Sequence, residues 1–583
     1  MDINDYFSEK KIIRLLCKYR AIHAGKRHEK HMIRNFSTHH RSNNILSSEQ
    51  NPLFQEIQEL FPSRRKWKKL HRDERTYCLD SNKSNQERLY NTYLKTKKDI
   101  GNGIVAPIWY DKLIKYVEDI KNEVLHIETS NYSFTPPKIT GIKKDEKEKK
   151  ITYRPIAVYD IKSKIICSLT AKYLTNYFDS IFLDCSYAFR AKNKSNIIPT
   201  HHDCIEKIGN ERKTNNPLYV AECDIQKFFD TVNHEHLLNI FYDISKKIEI
   251  KTSKSIDQKA YKIFQLFLNS YSFQENVLKL NSDSTWFENN KLPIGKFGWV
   301  EKNLNNEFGQ NYCAENKIGV PQGNAISCFI ANLILHNIDE EVLSSGKDIF
   351  YIRYCDDMIL MHPNKDTCNN ALKVFMSGIH ANFLLYHEPT ANLNYKAQSS
   401  SFWDSKSKLP FLWGDKNVNE NNVPWVSFVG YQINFNGQIR VRKSTIKKET
   451  KKQVAETEKV IENLGKLKHY QETRNEHSRW SKRQIIFSLQ QRLISMSVGR
   501  IQIYNHKKPT KQGLCWTNGF KMLTKNRIIS KQLRYLDRRR AHQLKRLQNE
   551  LNKITRKSKK TTFKENDTFY GSAYSYFNFL KHK

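Results

Sequence analysis

Ile349-Phe-Tyr-Ile-Arg-Tyr-Cys-Asp-Asp-Met-Ile-Leu-Met361 sets two adjacent carboxylates, Asp356 and Asp357, between two short runs of aromatic and aliphatic residues. Run, polar break and run read as a β-hairpin with the acids at its turn. Unpaired negative charges in a buried hairpin are costly to desolvate unless a cation or a donor faces them, and a divalent metal is the obvious partner. Aspartate is also a common turn residue, because its side chain bonds its own backbone, so the pair gains its meaning from the rest of the chain.

Three stretches upstream supply that meaning. Leu218-Tyr-Val-Ala-Glu-Cys-Asp224 is an apolar strand that delivers Asp224 at its C-terminal end, before Ile-Gln-Lys-Phe-Phe-Asp230 and a helix around Leu237 and Leu238. Strand ends of this kind are where α/β folds present catalytic groups. Phe229 falls five positions after Asp224, close to whatever that carboxylate binds, although Phe228 and Phe229 also suit a core. In Ile318-Gly-Val-Pro-Gln-Gly-Asn-Ala, Gly319 and Gly323 flank a Pro-Gln turn ahead of a long apolar helix, which lets backbone approach a ligand closely. Ile151 to Ile166 reads as a strand feeding a helix, with Arg154, Lys162 and Lys164 at the joint; the arginine fork suits polyphosphate.

Charge points to a polyanion. The 583 residues carry 98 Lys and Arg against 60 Asp and Glu, a formal +38 that runs through most of the chain, and nucleic acid is the first partner to expect. No apolar run approaches the ~20 residues a spanning helix needs, so no membrane partner is expected. Met1-Asp-Ile-Asn-Asp-Tyr-Phe7 carries no secretory pattern, and the expected location is cytoplasmic. Eleven cysteines without a Cys-x-x-Cys pair, several of them in apolar runs (Cys167, Cys223, Cys328, Cys355), read as reduced thiols. Residues 1–100 are basic with short amphipathic pieces, and about 245–316 is polar and Asn/Lys-rich, like an insertion. Asn436-Gly437 marks a hairpin turn. Beyond it, Ile486, Leu489, Leu493 and Met496 mark one amphipathic helix. Leu533, Leu536, Leu544, Leu547, Leu551 and Ile554 mark another, whose polar side is read as Arg538, Arg539, Arg540, Lys545 and Arg546.

An aspartate closing a strand before Phe-Phe-Asp, a Pro-Gln-Gly turn before an apolar helix, and Tyr-x-Asp-Asp in a hairpin, in that order, resemble the palm of reverse transcriptases. Arg154-Pro155 with Asp160, Ser186-Tyr-Ala-Phe-Arg190, Leu393-Asn-Tyr-Lys396 and Phe428-Val-Gly-Tyr431 extend the likeness to group II intron-type bacterial enzymes over about residues 130–445. Ala188 stands where those relatives usually have Gly, Ser327-Cys328 replaces a common Ser-Pro, and the thumb's Val-Thr-Gly signature of retron enzymes is not found. The chain looks most like stand-alone reverse transcriptases linked to abortive infection and phage defence.

That resemblance implies an α+β right-hand polymerase. A basic helical extension (1–100) would precede fingers (101–215), a ferredoxin-like palm (216–442, with the insertion at about 245–316) and a helical thumb with a basic C-terminal region (443–583). It implies that Asp224, Asp356 and Asp357, with the carbonyl of Ile225, hold two Mg²⁺ ions. Arg154 then contacts the triphosphate, Phe229 excludes a 2′-hydroxyl, Gln322 lines the nucleotide and template side, and Lys396 donates a proton to pyrophosphate. The expected function is RNA-directed DNA synthesis from dNTPs in antiphage defence. Its partners are an RNA template or non-coding RNA and a DNA product, with a protein partner or homo-oligomer also envisaged. The alternatives are an intron maturase, a template-independent or protein-primed polymerase, and an inactive RNA-binding scaffold. Hydroxyls for protein priming are offered by the segment around Tyr570, Tyr574 and Tyr576.

Overall fold

A mostly buried Leu218–Cys223 and a wholly buried Met358–Met361 place the acid-bearing strands at the centre of a sheet, as their apolar runs require. The computed structural model describes residues 2–34, 52–71, 74, 81–148, 150–192, 197–215, 217–391, 400–414, 425–474, 482–498, 516–524, 526–554 and 574–575. The chain falls into two units. One comprises Met1–Ile12, Tyr116–Val429 and Asn434–Gln438, the other Ile13–Lys115, Gly430–Ile433 and Ile439–Lys583.

The first unit is mixed helix and sheet. Its strands are β1 (Lys138–Lys147), β2 (Lys150–Val158), β3 (Leu218–Cys223), β4 (Ile225–Gln226), β5 (Lys296–Phe297), β6 (Phe350–Tyr354), β7 (Asp357–His362), β8 (Leu385–Tyr386), β9 (Lys408–Trp413) and β10 (Val426–Phe428). The central sheet runs β6-β7-β3-β9, antiparallel throughout. Helix Lys365–Ala381 packs on β3, β7 and β9, and helix Ala325–Ser344 packs on that helix and on Ile161–Phe178. Asn324 caps Ala325–Ser344 by accepting from the Ile326 amide. Burial of residues all round that helix explains why its sequence is apolar without a clear polar face.

A second sheet carries Arg154. β1 and β2 form a hairpin, and β5 adds to β2 in parallel, pairing Thr152 with Lys296 and Tyr153 with Phe297. The Asn/Lys-rich segment is therefore no polar excursion. Its Tyr271, Phe273, Phe287 and Phe297 close a core with Ile139, Ile151 and Tyr153, and Trp286 and Trp299 pack against it. Gly295 permits the approach, since a Cβ there would sit 2.7 Å from the Ile151 carbonyl oxygen.

The second unit is mainly helical. Helices Lys443–Arg474, Lys482–Val498 and Arg527–Ile554 pack through Val460, Leu464, Leu489, Leu493, Leu544, Leu547 and Leu551. Strands β11 (Tyr431–Ile433) and β12 (Ile439–Val441) pair as a hairpin, as the sequence pattern predicts. Toward the N-terminus, Arg14 pairs with Glu87 at 2.9 Å and lies over the Tyr90 ring. One expectation is corrected here: Arg540 does not join the polar face but is 2% exposed, within the electrostatic reach of Asp537 and Tyr574. Among the described residues, no helix is long and apolar enough to cross a membrane.

Candidate active site

Pairing register brings the acids together. β3 and β7 pair from Tyr219 opposite His362 to Cys223 opposite Met358, so the next step past the end of β3 sets Asp224 against the position of Asp357. Asp356 lies one residue back, in the two-residue turn that joins Tyr354 to Asp357. Cys355 makes that turn in the left-handed region at φ +62°, an uncommon conformation for a residue with a Cβ. The sequence put both acids in the turn; in the structure Asp357 already belongs to the strand and is exposed, and Cys355 takes its place. Burial above all, with the neighbouring charge of Asp224, holds the Asp356 carboxyl above the usual carboxylate range.

A buried ion pair holds this turn from below. Arg353 donates from Nε and Nη2 to Asp339 at 2.9 and 2.6 Å, and its Nη1 reaches the Cys355 carbonyl at 3.0 Å. Tyr351 donates its hydroxyl to Asp339, and Asn332 joins Arg353 to Ser186. Ser186-Tyr-Ala-Phe-Arg190 is thus a brace: Tyr187 bonds the Arg353 backbone, and Arg190 donates to Asp179 and to the carbonyls of Phe182, Leu183 and Ser186.

Asp224 is pinned on three sides. Its amide donates to Ser407 and its carbonyl accepts from the His387 amide. Its carboxylate pairs with Lys406 at 2.8 Å and lies 3.5 Å from His387 Nε2, with Lys406 Nζ 2.8 Å from the same imidazole nitrogen. Burial first, then the Lys406 charge, keeps the imidazole below its ordinary pKa.

The other predicted residues fall around this point. Arg154 is exposed on β2, and its charge is felt at Asp356 and Asp230. Phe229 is half-buried beside the fully buried Phe228, with ring centres 5.1 Å apart, so only Phe228 is core. Gln322 donates to Asp230 at 2.6 Å, and its carbonyl accepts from Ala157 at the end of β2. Gly319, at φ +96°, lets the turn lie on the Asp230 backbone, where a Cβ would stand 3.2 Å from the carbonyl oxygen and 2.8 Å from Phe273. Ile225 is buried and pairs with Tyr386 between β4 and β8. Lys396 lies outside the described residues. Lys162, grouped with Arg154 in the sequence, instead pairs with Glu123 at 3.1 Å.

Sequence reading missed Lys144, Lys227, His387 and Lys406. Lys144 is depressed by partial desolvation and by the charges of Lys227, Lys406 and Arg154, which places four cations near one another around the acids. Asp230, the third residue of Phe-Phe-Asp, is 1% exposed, and burial pushes its carboxyl up to about 6. A separate open pocket of about 560 Å³, lined by residues such as Asn233, His236, Phe308, Tyr312 and Phe383, includes none of these groups.

Asp224 and Asp356 offer hard oxygen donors whose mutual repulsion a divalent cation relieves. Among the described residues, no three His, Cys, Asp or Glu side chains are grouped as a ready metal cage. Magnesium is commonly held by one or two carboxylates with substrate phosphates completing its shell, so this donor set fits it.

Carboxylates at two adjoining strand ends beside a group of cations suit phosphoryl chemistry on a nucleotide. Residues 142–387 match the family described as reverse transcriptase (RNA-dependent DNA polymerase). That segment, which contains Asp224, Asp230, Asp356 and Asp357, is a reverse transcriptase domain, and the protein is an RNA-directed DNA polymerase, a nucleotidyltransferase. No curated protein matches the chain. Among solved structures, telomerase from Candida albicans in complex with a TWJ fragment of telomeric RNA aligns at 12% identity and a TM-score of 0.33, covering 81% of this chain and 68% of that one. Apo telomerase from Candida tropicalis aligns at 12% identity and a TM-score of 0.33, covering 95% and 96%.

Proposed function

We propose that the protein copies an RNA template into DNA from dNTPs, with Asp224, Asp356 and the Ile225 carbonyl holding two Mg²⁺ ions and Asp357 completing the acidic group. The observation that carries this reading is the meeting of Asp224 and the Asp356 turn, far apart in the chain, at adjoining strand ends within the reverse transcriptase segment. When bound, the ions would activate a primer 3′-hydroxyl and neutralise charge on the triphosphate. The protein's own residues position the reactants, and positioning is a large part of such catalysis. Arg154 offers an exposed fork to the phosphates. Phe229 presents a half-buried ring that closes the sugar site against a 2′-hydroxyl, and Gln322, tied to Asp230 and β2, fixes the wall beside the base. Lys396 is the proposed proton donor to pyrophosphate.

We further propose that synthesis serves antiphage defence in the cytoplasm with a dedicated non-coding RNA. The support is the likeness of the motif set to stand-alone defence-associated enzymes. Protein priming from Tyr574 is disfavoured, because that side chain is fully buried and donates its hydroxyl to Glu449. Tyr570 and Tyr576 lie outside the described residues.

Purified protein incubated with primed RNA, labelled dNTPs and Mg²⁺ is expected to make labelled DNA, and the Asp356→Ala, Asp357→Ala variant none. Equal synthesis by both would overturn the assignment. Phe229→Ala is expected to admit ribonucleotides about tenfold better or more; unchanged discrimination would remove Phe229 as the gate.

A further inference from the structure

Lys227 is an unusual residue for its backbone. It precedes the short helix Phe228–Thr231 in the left-handed region at φ +53°, where any side chain with a Cβ is disfavoured and glycine would fit best. A lysine kept in such a conformation at a working site invites a reason in its side chain.

The side chain has a defined address. Its ammonium lies 3.8 Å from Asp230 Oδ2 and remains partly open, the side chain being 22% exposed against 1% for Asp230. Gly298 lies beside it, where a Cβ would make only ordinary contact with Nζ at 3.5 Å. The same Asp230 accepts from Gln322 Nε2 at 2.6 Å, so one buried carboxylate aims two groups from two separate stretches of the chain. Lys144 and Arg154 also act on Asp230, and Lys406 acts with them on Lys144. Lys406 is taken up by Asp224, which leaves Asp230 to face Lys227, Lys144 and Arg154, and the charge of Arg154 is also felt at Asp356, so these three cations adjoin the acids with only one buried carboxylate among them. A polyphosphate is the ligand that such a group of cations recognises.

We propose that Lys227 binds the triphosphate of the incoming nucleotide and that Asp230 is the positioning residue that aims it, together with Gln322. The inference rests on the nucleotide-site reading above and adds to it a cation and a buried carboxylate. The rival is purely structural: Lys227 would only compensate Asp230.

Steady-state dNTP incorporation separates the two. Lys227→Gly suits the backbone and removes the cation, and Lys227→Met keeps the bulk without the charge. For both, the KM for dNTP is expected to rise about tenfold, the value of one charge-assisted bond, with kcat changed little and product inhibition by pyrophosphate weakened in parallel. Asp230→Asn is expected to raise KM in the same direction and to add little on top of Lys227→Gly, because the two act as one unit. A KM and a pyrophosphate inhibition both within about twofold of the wild type would overturn the role of Lys227, even if the melting temperature fell; multiplying effects of Lys227→Gly and Asp230→Asn would overturn the role of Asp230. A wild type that incorporates no dNTP would instead overturn the nucleotide-site reading itself.

Discussion

Two pairs of opposite charge serve the strand ends that carry Asp356 and Asp224, and they are built differently. Arg353 and Asp339 are each 1% exposed, bonded twice to one another, and their remaining groups are engaged by Tyr351, Asn332 and the Cys355 carbonyl. Lys406 and Asp224 share one bond at 2.8 Å with side chains 55% and 24% exposed. A buried, fully satisfied pair is costly to break, whereas a solvated one contributes little because water and salt screen it. The first fixes the turn that carries Asp356. The second leaves Asp224 with a partner that another cation can replace at small cost, which is what the proposed metal role of Asp224 needs.

Breaking the buried pair is expected to have the largest effect on stability. Asp339→Ala strands the Arg353 charge and should cost about 3–5 kcal/mol in denaturant unfolding, while replacing both partners by apolar residues of similar volume should recover most of it. If the single substitution is silent, the pair does not brace the turn.

Asp230 sharpens the contrast, being equally buried but less fully compensated. Its carboxyl, raised from 3.8 to about 6, keeps a proton in the folded state that the unfolded chain has already released between about pH 4 and 6. Stability attributable to Asp230 is therefore highest below pH 4 and falls as pH rises toward 6, by about 3 kcal/mol for a shift of this size. The difference in unfolding free energy between wild type and Asp230→Asn, measured across that window, should follow this slope; a flat difference would contradict it.

The smallest stability effect belongs to Lys406→Ala, under about 1 kcal/mol. The same variant should reach its half-maximal rate at a lower Mg²⁺ concentration, since Lys406 competes for Asp224. A higher Mg²⁺ requirement would show that Lys406 assists the site.

Much of this was legible in the sequence where a period or an apolar run records burial. The hairpin Phe350–His362 follows from its two runs, and Asp224 from the strand before it; only the turn shifted, because Cys355 adopts the left-handed conformation that a glycine would have announced. Arg540 is the exception, a charged side chain at a core position. It sits four residues from both Leu536 and Leu544, on the apolar stripe, and that spacing, not its charge, decides its burial. Lys144, Lys227 and Lys406 were not legible at all. Among 98 basic residues, nothing local marks the few that long-range pairing gathers around Asp224. Nor could the pairing of Lys296 and Phe297 with β2 be read, since a two-residue strand has no period.

Whether Asp224 and Asp356 act as one centre is decided by a double-mutant cycle on dNTP incorporation with Asp224→Asn and Asp356→Asn. Each single variant should lose on the order of a thousandfold or more in rate, and the double variant should be no slower than the worse single, as groups that work as a unit behave. Losses that multiply, or a single variant that keeps wild-type rate, would contradict a shared centre.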